Sequence, residues 1–170
     1  MAIPGANTGS FTDPLRLKLV PMTEEHARQI CRWRYEGEYA VYNAASWEEM
    51  AERGEEFADP DIRARQYFSA VDDNGELCGF AQFFPLVGVT RIGLGLRPDL
   101  CGRGLGSRFA AMIASEARRR KPGDEIDLEV FTWNRRAIRA YEKAGFVRTD
   151  TYVRPTPAGP AEFHCMVYRG

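Results

Sequence analysis

The stretch Leu96-Arg97-Pro98-Asp99-Leu100-Cys101-Gly102-Arg103-Gly104-Leu105-Gly106-Ser107 carries the residues best suited to chemistry. Three alternating glycines, Gly102, Gly104 and Gly106, let the backbone come close to a ligand, and the helical pattern that follows offers free N–H groups with partial positive charge. That combination holds an anion, and a pyrophosphate fits it. A structural turn that merely needs glycine explains the same spacing. Two phosphate-binding fingerprints fail: Gly102-x-Gly104-x-x-Ser107 lacks the third glycine of the dinucleotide pattern and follows a late strand, and no Gly-Lys-Ser/Thr follows as NTP-binding loops require. The remaining reactive side chains do not cluster. Cys31, Cys78, Cys101 and Cys165 are scattered without a C-x-x-C pair, so they read as reduced thiols, with neither a metal site nor a disulfide framework expected. His26 and His164 are isolated and have no catalytic reading.

Elements that could position the glycine segment are legible around it. Residues 1–12 lack a hydrophobic period and read as a flexible lead-in, with 13–170 as one domain. Leu15 to Val20 alternates apolar and charged residues, which predicts a half-buried strand ended by Pro21. A helix starts at Thr23, and Ser46 with Glu49 forms a capping-box pattern for a second one through Glu56. Asp59-Pro60-Asp61 is expected to close this helical arm. Strands follow at Arg65–Val71 and Leu77–Phe84 around the hairpin signal Asn74-Gly75, then at Val89–Leu96. The glycine segment leads into a helix reaching Arg120. Ile126–Phe131 reads as a buried strand, Asn134–Ala144 as a helix stopped by Gly145, and strands at Val147–Val153 and Glu162–Tyr168 flank a loop at 155–160. This order is α/β (α+β), a mixed sheet in which the crossover from Val89 to Phe131 makes a parallel pair.

Composition excludes some partners. Of 170 residues, 44% are apolar, and 23 Lys and Arg nearly balance 24 Asp and Glu for a net charge of -1. A dedicated nucleic-acid binder would be strongly basic, so no nucleic acid is expected. No window is apolar for long enough to span a membrane, and residues 1–7 lack the basic and apolar regions of a signal peptide. A soluble, cytoplasmic protein is the expectation. Oligomeric state is unreadable, and a homodimer stays open.

The glycine segment resembles the acyl-coenzyme A loop of the GNAT superfamily of N-acetyltransferases, whose pattern is Gln/Arg-x-x-Gly-x-Gly/Ala after a Val-x-Pro strand end. Cys101-Gly102-Arg103-Gly104-Leu105-Gly106 takes that place and Leu96-Arg97-Pro98 stands for the strand end, while Cys101 departs from the pattern at its first position. A second block, Leu128-Glu129-Val130 followed by Asn134-x-x-Ala137-x-x-x-Tyr141-x-x-x-Gly145-Phe146, is similar to the family's second conserved segment. The resemblance is anchored over residues 78–147. It implies a mostly antiparallel sheet with a splayed parallel strand pair, flanked by helices. It also implies transfer of an acetyl group from acetyl-CoA directly to a primary amine of a small molecule or peptide, without a metal. A catalytically silent acyl-CoA-binding or regulatory module of the same fold is the alternative.

By the same resemblance, acetyl-CoA would be held by Leu96, Arg97, Cys101, Gly102, Arg103, Gly104, Leu105, Gly106, Ser107, Asn134 and Tyr141, with the N–H of Leu96 facing the developing oxyanion. Tyr141 would protonate the departing thiolate, although a core tyrosine under the helix accounts for the same residue. Many relatives carry a carboxylate on the strand before the glycine loop, where this chain has Thr90-Arg91-Ile92-Gly93-Leu94-Gly95-Leu96. Glu129 is the nearest substitute as a base, with a pKa raised by half-burial, and pairing with an arginine on the sheet is its other reading. Trp33, Tyr35, Glu36 and Tyr39 of the arm are the candidate acceptor contacts, a mix of rings and carboxylate suited to a cation, or else a cover for the sheet. Charge is uneven: residues 97–121 carry seven basic against two acidic side chains, and residues 23–61 four against eleven. An anionic donor at the first segment and a cationic acceptor at the second are the weak expectation.

Overall fold

The computed structural model describes residues 15–170, so the expected lead-in at 1–12 lies outside the described residues. Seven strands, β1 (Lys18–Pro21), β2 (Tyr67–Val71), β3 (Leu77–Leu86), β4 (Val89–Leu96), β5 (Glu125–Phe131), β6 (Phe146–Thr156) and β7 (Gly159–Tyr168), form one sheet in the order β1-β2-β3-β4-β5-β7-β6. Every neighbouring pair is antiparallel except β4 and β5. The mixed sheet with one parallel pair is therefore the architecture expected from the sequence.

Two helical layers cover the sheet. Helices α4 (Gly106–Arg120) and α5 (Arg135–Ala144) pack on one face, burying Phe109, Ile113, Leu128, Phe146 and Met166. The arm, comprising α1 (Glu24–Arg32), α2 (Trp47–Arg53) and α3 (Pro60–Gln66), builds a second cluster with Ile30, Cys31, Met50, Phe57 and Tyr67. Alternation along β3 sends Ala81 and Phe83 to the first cluster and Phe80 to the second.

The helix starts follow their capping residues. The Thr23 hydroxyl accepts from the His26 N–H, and Ser46 and Glu49 form the full capping box of α2. Asp59-Pro60-Asp61 does not end the arm as expected. Asp59 accepts from the N–H groups of Asp61 and Ile62 and Pro60 opens α3, because proline's missing N–H and fixed φ suit a first helical turn. Strand β2 consequently begins at Tyr67 and not at Arg65. The expected loop at 155–160 is instead a tight hairpin in which β6 and β7 stay paired out to Thr156 and Gly159. β1 includes Pro21 because it lies at the sheet edge, where a missing N–H costs little. A 3₁₀ turn at Gly37–Tyr42, which periodicity did not reveal, lies between the arm helices and bears on the site below.

Candidate active site

The site is built around a failure of strand pairing. β4 and β5 pair only at Val89, Thr90 and Arg91 against Glu125, Ile126 and Asp127, although β4 continues to Leu96 and β5 to Phe131. The Arg97 N–H donates to the Cys78 carbonyl at 2.8 Å, which fixes the phase of the β3/β4 ladder. In an antiparallel ladder alternate residues turn their backbone groups to the other side. The N–H and C=O of Leu94 and Leu96 therefore face the gap where β5 has left. One of these acceptors is already used: the Tyr35 hydroxyl donates to the Leu96 carbonyl at 2.6 Å. The asparagine amide of Asn43 holds the Tyr35 backbone from both sides, accepting from its N–H at 2.7 Å and donating to its carbonyl at 3.3 Å.

Beside the gap, the glycine segment turns into α4. Gly102 and Gly104 have φ of 75° and 77°, left-handed values that an L side chain rarely adopts, so glycine is required at both. Residue Leu105 caps α4 without a side-chain hydrogen bond, leaving the first N–H groups of a 15-residue helix for a ligand. A cavity of about 310 Å³ lies against them, lined by Gly102, Gly104, Gly106 and Ser107 on one side and by Arg136, Arg139 and Lys143 of α5 on another. Gly106 also permits close helix packing, since a Cβ there would sit 3.4 Å from that of Ala140. The Arg97 side chain is tied to Asp99 at 2.6 Å and to the Leu77 carbonyl at 2.8 Å, while Arg103 lies exposed in the loop.

Helix α5 closes the gap from below. Asn134 is 5% exposed, and both ends of its amide are used: Oδ1 accepts from the Ala137 N–H at 3.1 Å and Nδ2 donates to the Tyr42 hydroxyl at 2.8 Å. One side chain thus starts α5 and fastens the 3₁₀ turn across the cleft. Two turns further on, Tyr141 lines both the cavity at the start of α4 and a second cavity of about 350 Å³ on the arm side. Burial, and the nearby Tyr42, push its hydroxyl pKa well up, so it stays protonated at neutral pH.

The second cavity brings together Trp33, Tyr35 and Tyr39 with Glu129, Leu96, Cys101 and Tyr141. Glu36 does not join them. It lines a neighbouring cleft with Arg34, Pro98 and Asp99. Trp47 of α2, outside this cavity, lies under the Arg28 guanidinium. Glu129 has the arginine partner that its structural reading called for: Oε1 accepts from Arg91 Nη1 at 3.2 Å, and Oε2 accepts from Arg154 Nε at 3.1 Å and from the Tyr152 hydroxyl. Arg91 also grips Asp127 with two bonds of 3.0 and 2.9 Å, and the Cys165 thiol donates to the same carboxylate at 3.5 Å. Desolvation and the neighbouring Asp127 push the Cys165 thiol pKa up.

Sequence reasoning missed Phe57, Phe80, Arg91, Tyr152 and Arg154. Alternation along β3 and β6 could have put Phe80, and Tyr152 with Arg154, each on one face, but not said that Phe80 lines the second cavity or that Tyr152 and Arg154 reach Glu129. Among the described residues, no group of three or more His, Cys, Asp or Glu is placed to hold a metal ion, and no helix is long and apolar enough to cross a membrane.

Known proteins share these features. The family model described as the acetyltransferase (GNAT) family matches residues 27–146. A mycothiol acetyltransferase from Salinispora arenicola is 32% identical over 130 residues, 68% of this chain, and the chain spans 42% of that relative's length. An aminoglycoside acetyltransferase AAC(6')-Ib solved with paromomycin and acetyl-CoA superposes with a TM-score of 0.64 at 26% identity, covering 88% of this chain and 92% of that one. A spermidine N-acetyltransferase chimera from Vibrio cholerae and hSSAT shares the fold, with a TM-score of 0.73 at 18% identity over 89% of this chain and 94% of that one. With the family model covering most of its length and a splayed strand pair at the loop it matches, this chain belongs to the GNAT family of acetyltransferases.

Proposed function

We propose that the protein moves an acetyl group from acetyl-CoA directly to a primary amine, and the observation that carries this reading is the pair of cavities joined at Tyr141 along the gap between β4 and β5. The residues fit the donor: Leu94 and Leu96 offer strand-like backbone groups to an extended amide chain, and Gly102, Gly104 and the start of α4 offer N–H groups to a pyrophosphate. Arg103, Ser107, Arg139 and Lys143 add positive charge and a hydroxyl at the same end. Bound there, acetyl-CoA supplies the reactive thioester.

The Leu96 N–H stabilises negative charge developing on the thioester oxygen, a task for a fixed backbone donor. Tyr141 gives its proton to the departing sulfur. Its raised pKa means that it arrives protonated, and geometry must supply what a weak acid lacks. Glu129 is the carboxylate lining the acceptor cavity, and it takes the ammonium proton with its orientation held by Arg91, Arg154 and Tyr152. The relatives named for spermidine and aminoglycosides acetylate amines, which supports the acceptor class and no finer identity.

The test is thiol release from acetyl-CoA across an amine library. Tyr141→Phe should lower kcat by about 10²-fold or more with acetyl-CoA affinity unchanged. Glu129→Gln should remove the fall in turnover on the acid side of the pH profile, and an unchanged profile removes Glu129 from the role. Stabilisation by CoA without thiol release from any amine would leave the silent binding module as the function.

A further inference from the structure

Resting on the transferase reading, we propose that the acceptor is a monoamine whose amino group is carried on a flat, apolar body of aromatic size, and that polyamines and aminoglycosides are excluded. The 350 Å³ acceptor cavity is walled by Ile30, Trp33, Ala44, Phe57 and Phe80. Its floor on β4 includes Gly93 and Gly95, which offer bare backbone between the leucines and isoleucine of that strand. Gly95 must be glycine: a Cβ would overlap the Phe80 ring, which rests on that backbone. On this strand the chain lays an aromatic ring over bare backbone.

The charges argue in the same direction. Glu129 and Arg136 are the ionised side chains lining the cavity. Glu129 belongs to a cluster with Arg91, Asp127 and Arg154 that has two charges of each sign, so its charge is offset by neighbours outside the cavity. Arg136 lies over the Tyr39 ring, 4.1 Å from its centre, and adds a positive charge at the mouth. The acidic excess of the arm does not reach this space, contrary to the charge pattern expected from the sequence. Glu24 and Glu55 pair with Arg28 and Arg53, Glu49 and Asp59 cap helices, and Glu56 accepts from Tyr67 and Gln82. One ammonium can meet Glu129 and the faces of Tyr35, Tyr39 and Tyr42. A second would be buried without a partner beside Arg136, which is strongly unfavourable. The apolar walls favour a hydrocarbon body in proportion to the surface it buries.

Binding to the protein–CoA complex, measured by calorimetry, tests this independently of turnover. 2-Phenylethylamine should bind about tenfold or more tightly than spermidine, with kanamycin weaker still. Ala44→Asp, which places a carboxylate in the wall, should shrink the preference at least about fivefold by favouring spermidine. Equal or tighter binding of spermidine or kanamycin to the wild type overturns the proposal, as does a preference that Ala44→Asp leaves unchanged. Thiol release with spermidine but not with the arylalkylamine overturns it while sparing the transferase reading. Tight arylalkylamine binding with no thiol release from any amine does the reverse.

Discussion

Replacing Arg91 by Met tests whether an ion pair holds the site open at the point where the sheet divides. Arg91 and Asp127 are the last paired residues before β4 and β5 part. Arg91 makes two bonds to Asp127, which is 5% exposed, and one to Glu129. Removing the guanidinium leaves Asp127 with only the Cys165 thiol as a side-chain donor. Breaking a buried pair from one side costs about 3–5 kcal/mol, and because 31% of the Arg91 side chain is exposed the lower end applies, about 3 kcal/mol. For a chain of this size that is roughly 6–12 °C in Tm. Urea unfolding at pH 7 of the wild type, Arg91→Met, Asp127→Asn and the double variant measures it. The double variant, with no unpaired charge, should cost no more than the worse single one, giving a coupling of at least about 2 kcal/mol. A loss below about 1 kcal/mol for Arg91→Met, or single costs that simply add, would refute the reasoning.

Three further outcomes follow from local geometry. Gly95→Ala should destabilise by about 1–3 kcal/mol and raise the KM for the acceptor, since Phe80 must leave the β4 backbone; thermal melts and acceptor titration check both. Ser69→Ala should be neutral or stabilise by about 1 kcal/mol in denaturant unfolding, because the Ser69 hydroxyl is fully buried without a hydrogen-bond partner. Hydrogen bonds and charge from Arg119 and Arg120 hold the Glu116 carboxyl at a pKa of about 2 against an ordinary 4.5. A depressed folded pKa stabilises above the unfolded value and loses that contribution as pH falls, so Glu116→Gln should melt roughly 1–2 °C below wild type at pH 7, a gap that closes between about pH 4.5 and 2.

Much of the scaffold was legible because its signals are local. Ser46 and Glu49 satisfy each other within one helical turn, and Asn74-Gly75 turns β2 into β3 within a few residues. Asp59-Pro60-Asp61 was misread because the same residues stop one helix and cap the next, and only the apolar residues beyond decide which. The 3₁₀ turn at Gly37–Tyr42 has no periodic signature. It is held by Asn43 and by Asn134, a contact across 92 positions.

The acyl-CoA-loop pattern and the second block through Tyr141 are properties of the chain itself, because positive φ at Gly102 and Gly104 and a helix start with free N–H groups are demanded by neighbouring residues. The sequence by itself therefore determined the family, the succession of strands and the glycine loop with its positive φ values. What surrounds the second cavity was decided only by tertiary structure. Arg91, Glu129 and Arg154 meet through sheet pairing, and the distance between them in the chain says nothing of it. The eleven acids of the arm looked like a cation site in one dimension, but none of them lines the second cavity, while glycines and Phe80 leave that cavity apolar. Net charge adds along the chain, whereas the field in a cavity depends on which side chains point into it and what already neutralises them.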